Sequence, residues 1–194
     1  MSYNHLCFSI FFEDKKNIIS SMGEMFFDRK KLRDIKLVSC KTKMIEWIDP
    51  QYGQLSIFFI GSNKDISKTI YLSNSYSGLV SFVRFFSKSI GCKCIQIRIS
   101  TLPESGIFEY EVMQSGISIR IVQLIQDTKW IFFTKGDPLP YEDVSVYENR
   151  LMKNKFNAEI IKTYLKAEGI DFDTLFNNEY TGVKYETMSW EYLD

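Results

Sequence analysis

The chain has few of the residues that catalysis normally requires. Its 194 residues include one histidine, His5, and ten glycines that are dispersed along the sequence. A catalytic serine or cysteine normally uses a histidine as its base, and a phosphate-binding loop needs glycines close together ahead of a helix. His5 lies in an alternating pattern typical of a β-strand, which favours a structural role. We therefore expect no catalytic residue, no cofactor and no enzyme activity.

The chain also lacks the patterns of metal-binding, membrane and secreted proteins. Its cysteines are Cys7, Cys40, Cys92 and Cys94, and none forms the Cys-x-x-Cys pair of a structural zinc site. It contains no run of about 18 apolar residues, and its first residues lack a basic region followed by an apolar one. These features predict free thiols, no bound metal, no membrane span and a cytoplasmic location.

The composition and periodicity are typical of a single α+β domain, residues 1–194. Hydrophobic residues make up 45% of the chain and aromatic residues 15%, enough for a substantial core. Helical spacing of apolar residues predicts about three packed helices, near residues 14–27, 77–90 and 157–168. Alternation predicts a mainly antiparallel sheet, with strands at 5–12, 34–40, 43–48, 54–60 and 68–73 and a meander around 93–134.

The clearest hairpin has its turn at Ser115-Gly116. A two-residue turn there predicts a register that places Glu111 opposite Arg120. Glu109 and Glu111 lie on one face of the first strand, where two neighbouring carboxylates could serve metal-dependent hydrolysis. The alternative is a solvated sheet face, on which Glu111 pairs with Arg120.

Positive and negative charges are unevenly distributed, although the net charge is zero. Residues 1–103 contain 15 Lys and Arg against 8 Asp and Glu, whereas residues 104–194 contain 9 against 16. Either the two parts lie near each other in the fold and neutralise one another, or one charged lobe docks a partner. The basic run at 29–36 lacks interleaved aromatic residues, so we do not expect nucleic-acid binding.

The segment after Gly169 interleaves aromatic and acidic residues, the composition expected of a surface that binds a basic partner. The alternative is that the aromatic rings complete the core while the carboxylates face water. Under the first interpretation, the partner-binding residues are Asp171, Asp173, Glu179, Tyr180, Tyr185, Glu186 and Trp190.

Residues 130–171 carry an ordered series of motifs. In chain order these are Trp130-Ile-Phe-Phe, Gly136, Pro138-Leu-Pro140-Tyr-Glu142, Tyr147-x-x-Arg150 and Tyr164-Leu-Lys-Ala-Glu-Gly169-Ile-Asp171. The series resembles the C-terminal half of small bacterial proteins, some of which are similar to immunity proteins of polymorphic toxin systems. The resemblance implies a non-catalytic role in binding and blocking a toxin.

Three hypotheses about function follow. The first is a protein-binding module, most concretely an immunity-like inhibitor that docks on and neutralises a bacterial toxin with a basic surface. The second is a structural or assembly protein that forms a homo-oligomer. The third is a metal-dependent hydrolase that uses Glu109 or Glu111.

Overall fold

The computed structural model describes residues 5–28, 36–47, 56–63, 68–75, 77–101 and 106–187. Residues 29–35 of the predicted basic run and Trp190 lie outside these residues. Within them the strands are β1 His5–Phe11, β2 Lys36–Lys43, β3 Ser56–Ser62, β4 Thr69–Ser73, β5 Lys93–Ser100, β6 Ile107–Gln114, β7 Ile117–Gln126, β8 Trp130–Lys135 and β9 Glu179–Thr187. The α-helices are α1 Lys15–Asp28, α2 Val80–Ile90, α3 Met152–Lys155, α4 Ala158–Ala167 and α5 Phe172–Asn177.

The nine strands form one antiparallel sheet in the order β2-β9-β3-β4-β1-β5-β6-β7-β8. The α+β fold and the meander from β5 to β8 are therefore confirmed. Strand β9 was not expected, because the sequence after Gly169 reads as an acidic tail. It lies between β2 and β3, inside the sheet.

Helices cover both faces of the sheet, and each face has its own core. On the α4 face, Tyr110 packs against Tyr164 of α4 with ring centroids 5.4 Å apart. On the α2 face, Phe11 packs against Phe86 of α2 at 6.3 Å. Because side chains alternate along a strand, β1 contributes to both cores.

Three helices confirm the predicted ones, and the start of α4 and the ends of α2 and α4 follow known capping rules. The Asn157 side chain accepts hydrogen bonds from the first turn of α4, at 3.0 and 3.1 Å, as expected of an N-cap. Gly91 and Gly169 follow α2 and α4 with φ of 75° and 71°, a conformation that glycine adopts without strain.

The predicted strand at 43–48 is wrong. Strand β2 ends at Lys43, and Met44–Trp47 form a 3-10 helix. The Thr42 hydroxyl stabilises this turn, because it accepts from Trp47 Nε1 at 2.9 Å and donates to Glu46 at 2.8 Å. Met44 is buried, and a single apolar residue fits both the two-residue period of a strand and the period of a helical turn. The sequence pattern therefore did not distinguish the two structures here.

The register of the β6–β7 hairpin differs from the predicted one. Next to the turn the strands pair as expected, but a β-bulge at Ile119 shifts the register by one residue. Glu111 consequently lies opposite Ile121, and Arg120 lies opposite Val112. A shift of one residue moves a side chain to the other face of the sheet, so Arg120 and Glu111 are on opposite faces. The predicted pairing of Glu111 with Arg120 is therefore wrong.

Candidate functional site

The acidic segment lies beside basic residues of the first part of the chain. Strand β9 pairs with β2 in a register that places Glu186 opposite Lys36 and Glu179 opposite Lys43. The Glu179 carboxylate also forms an ion pair with Lys41 at 3.0 Å. Part of the charge asymmetry of the sequence is thus brought together across one pair of strands.

The predicted partner-binding residues separate into buried and exposed ones. Tyr180 and Tyr185 are buried, the Tyr180 hydroxyl donates to the Leu175 carbonyl at 2.5 Å, and burial raises the pKa of Tyr185 to about 12. Both rings belong to the core, so partner contact through them does not fit the structure. Asp171 and Asp173 are exposed at the start of α5, where the Asp171 side chain accepts from the Thr174 N–H at 2.7 Å.

A polar cleft opens on the α2 face, between the first turns of α2 and strands β5 to β8. Its volume is about 240 Å³. Both polar and apolar side chains line it. Its lining includes Arg84, Gln96, Arg98, Glu109, Glu111 and Phe133.

The two glutamates predicted on a solvated face are buried in the floor of this cleft. Glu109 is 5% exposed and Glu111 3%. Arg98 holds Glu109 in a two-point ion pair, with N–O distances of 2.8 and 2.5 Å, and Gln123 donates to the same carboxylate. The interpretation as a solvated face is therefore wrong, because α2 covers this part of the sheet.

Glu111 is held by a different set of donors. The Arg84 guanidinium contacts it through Nη2 at 2.9 Å, and the Ser118 hydroxyl donates to the same oxygen. Each carboxylate in the cleft thus has its own arginine, which makes the floor close to neutral. Side-chain donors of the chain itself already occupy both carboxylates in this arrangement.

Gln96, in strand β5 at one side of the cleft, has an oxygen with no partner among the described residues. The side chain is fully buried, its Nε2 donates to the Ser77 carbonyl at 3.3 Å, and its Oε1 accepts no hydrogen bond from the described residues. Sequence reasoning missed this residue and both arginines. The β5–β6 pairing that places Arg98 opposite Glu109 was available from the meander, but the position of Arg84 depends on how α2 packs.

The motif residues of segment 130–171 form a buried polar clasp on the α4 face. Arg120 and Glu142 form a two-point ion pair at 2.8 and 2.5 Å, with both side chains almost completely buried. The Tyr147 hydroxyl donates to the same carboxylate at 2.7 Å and contacts the Tyr164 hydroxyl at 2.7 Å. These contacts fasten the irregular segment after β8 to both the sheet and α4.

A second branch of the clasp runs through Tyr141. Its hydroxyl donates to Glu168 at 2.6 Å and lies 2.8 Å from the Tyr110 hydroxyl, and Lys93 pairs with Glu168 at 2.6 Å. Burial raises the pKa of both Tyr110 and Tyr141, which keeps these phenols neutral. Much of the motif series therefore has a structural explanation.

Strand β8 forms one edge of the sheet and exposes apolar side chains. Ile131 is 48% exposed and Phe133 47%. Two further exposed isoleucines, Ile117 and Ile119, lie at the start of the neighbouring strand β7. No residue of β8 is fully buried. Edge strands of this kind are normally protected by charge or by a covering element, because they pair readily with other chains.

Among the described residues, no helix is long and apolar enough to span a membrane, and no three histidine, cysteine or acidic side chains converge as metal ligands. Comparison with protein-family models, with curated proteins and with solved structures finds no match to this chain.

Proposed function

We propose that this protein is a non-enzymatic module that binds another protein through the β8 edge. The observation that carries the proposal is the exposure of Ile131 and Phe133 on β8, the strand at one edge of the described sheet. A partner strand added to β8 would bury both side chains and form hydrogen bonds with the backbone N–H and C=O groups of β8 that face away from β7. Strand addition of this kind is a common mode of peptide recognition. In this view the β8 surface, defined as Trp130–Lys135, is the centre of the interface.

The most specific form of the proposal is an immunity-like inhibitor that neutralises a bacterial toxin inside the cytoplasm. Its support is the resemblance of residues 130–171 to immunity-like proteins, a segment that begins with β8 itself. The clasp of Arg120 and Glu142 would hold this segment in a fixed shape. A preorganised surface loses less entropy on binding, which favours tight inhibition.

The test begins with capture of partners from the native cells, followed by reconstitution with the purified partner. Ile131→Lys and Phe133→Lys should each weaken the complex at least about tenfold in calorimetric titration, because a central apolar anchor is lost. Ile45→Lys is the matched control, since Ile45 is 54% exposed next to β2 at the opposite edge of the sheet. Asp173→Lys tests the acidic segment in the same assay.

Toxin neutralisation is tested by expressing the captured partner in cells with and without this protein. We expect growth to be restored by the wild type and not by Ile131→Lys. Unchanged binding by Ile131→Lys would refute the β8 surface. A homodimer that the same substitution dissociates, with no other partner found, would favour the homo-oligomer hypothesis instead.

A further inference from the structure

The polar cleft is large enough to accept a side chain from outside. Its volume of about 240 Å³ exceeds the ~150 Å³ of an engineered cavity that binds benzene. Phe133 belongs both to the cleft wall and to the β8 surface. A chain bound along β8 would therefore run past the mouth of the cleft.

The partnerless oxygen of Gln96 indicates that the ligand donates a hydrogen bond. Hydrogen bonding of Nε2 to the Ser77 carbonyl fixes the orientation of the amide, which leaves Oε1 as the atom without a donor. Buried acceptors are normally satisfied, and because Gln96 lines the cleft, a ligand bound there can supply the missing donor once the atoms that cover Oε1 move aside.

The charges of the cleft favour a neutral ligand. Glu109 is neutralised by Arg98 and Glu111 by Arg84. An ammonium or a carboxylate entering the cleft would find no uncompensated charge, and burying an unpaired charge is costly. A neutral group with both a donor and an acceptor avoids this cost.

Arg84 can supply the donor for the acceptor of such a group. Its side chain is 46% exposed, and its contact with Glu111 uses Nη2 alone among the described residues. The remaining N–H groups of a guanidinium can donate to a ligand carbonyl. The apolar side chains of Val80, Ile121 and Phe133 line the rest of the cleft and suit a short methylene stem.

We propose that the cleft binds the primary carboxamide of an asparagine or glutamine side chain of the partner, with its NH₂ donating to Gln96 and its carbonyl accepting from Arg84. The inference rests on the proposed function, because the carboxamide belongs to a chain bound at the β8 surface. It adds a specificity pocket to the main-chain pairing at that edge.

The experiment titrates the full chain with capped single residues, namely N-acetyl N′-methylamides of glutamine, glutamate, lysine and methionine, and follows amide chemical shifts by NMR. We expect capped glutamine to give saturable shifts around Gln96 and Arg84, with at least about fivefold higher affinity than the other three probes. That ratio corresponds to about one net hydrogen bond.

Two substitutions and one control locate the site. Gln96→Met removes the acceptor at similar size, and Arg84→Lys keeps the ion pair with Glu111 but removes the spare guanidinium donors. Each substitution should lower the affinity for capped glutamine about fivefold. Gln114→Met is the control, because Gln114 is exposed at the far end of β6. If Gln96→Met fails to fold, the affinity of Arg84→Lys for capped glutamine decides whether the site exists, because Arg84 is at a half-exposed helix position.

Equal binding of capped methionine, stronger binding of capped lysine or glutamate, or the absence of saturable binding would each overturn the carboxamide site. So would an unchanged affinity in the two variants. None of these outcomes would contradict partner binding at the β8 surface. Conversely, full partner binding by Ile131→Lys with normal binding of capped glutamine would refute the proposed function and not the pocket.

Discussion

Replacement of Glu142 by glutamine should be among the most destabilising conservative substitutions in the chain. Arg120 and Glu142 are 3% and 0% exposed, and glutamine would leave the buried guanidinium without a counter-charge. Breaking a buried pair by removing one partner costs about 3–5 kcal/mol. Domains of this kind are stable by about 5–15 kcal/mol, so the loss is a large share of the total.

Urea unfolding followed by tryptophan fluorescence measures this effect. With a slope of about 2–3 kcal/mol per molar, the midpoint should fall by about 1–2.5 M. The control is Glu159→Gln, which removes the exposed pair with Lys162 and should change stability by less than about 0.5 kcal/mol. In the double variant Arg120→Met/Glu142→Gln, part of the loss should be recovered because no charge remains buried.

The pH dependence provides a second test. Burial alone would raise the pKa of Glu142, but the hydrogen bonds from Arg120 and Tyr147 outweigh it and the pKa is lowered. A lowered pKa in the folded state stabilises the protein above the unfolded value of about 4.3, and this contribution disappears as the pH falls through the folded pKa. The difference between wild type and Glu142→Gln should therefore shrink in acid. A loss below about 1 kcal/mol at neutral pH would refute the reasoning.

Three further substitutions or modifications test other parts of the fold. Gly182→Ala should cost about 1–3 kcal/mol in urea unfolding, since the added Cβ would lie 1.9 Å from the Ile60 carbonyl oxygen, whereas a stability equal to the wild type would contradict this packing. Tyr141→Phe should cost about 1–2 kcal/mol in the same assay because two hydrogen bonds are lost, and no change would mean that the second branch of the clasp is not formed. In thiol titration of the native protein, the partly exposed Cys40 should react before Cys7, because burial protects the Cys7 thiol and raises its pKa to about 12. Equal reaction rates of the two thiols would contradict the burial of Cys7.

The helices and the meander could be predicted because their signals are local. Asn157 and Gly169 mark the two ends of α4 in the sequence itself, and alternation identifies β5 to β7 without any tertiary information. Strand β9 could have been recognised from its β-branched and aromatic residues. The interleaved carboxylates obscured that pattern, although they match lysines of β2 across the sheet.

The candidate site could not be predicted because it depends on one inserted residue and on helix packing. The bulge at Ile119 turns Arg120 toward the α4 face, where its partner Glu142 lies 22 residues further along the chain. A register predicted from the turn residues alone does not take the distant Glu142 into account. The cleft similarly requires Arg84, which reaches Glu111 only when α2 lies across the sheet.

The position of β9 has a consequence for how the chain folds during synthesis. Strands β2 and β3 belong to the first part of the chain, yet in the sheet they are joined only through residues 179–187, which lie between them. Translation proceeds at about 5–20 residues per second, so these two strands wait many seconds with open edges on the ribosome. We expect the nascent chain to need chaperone protection over this interval, and the complete sheet to form only after β9 has emerged.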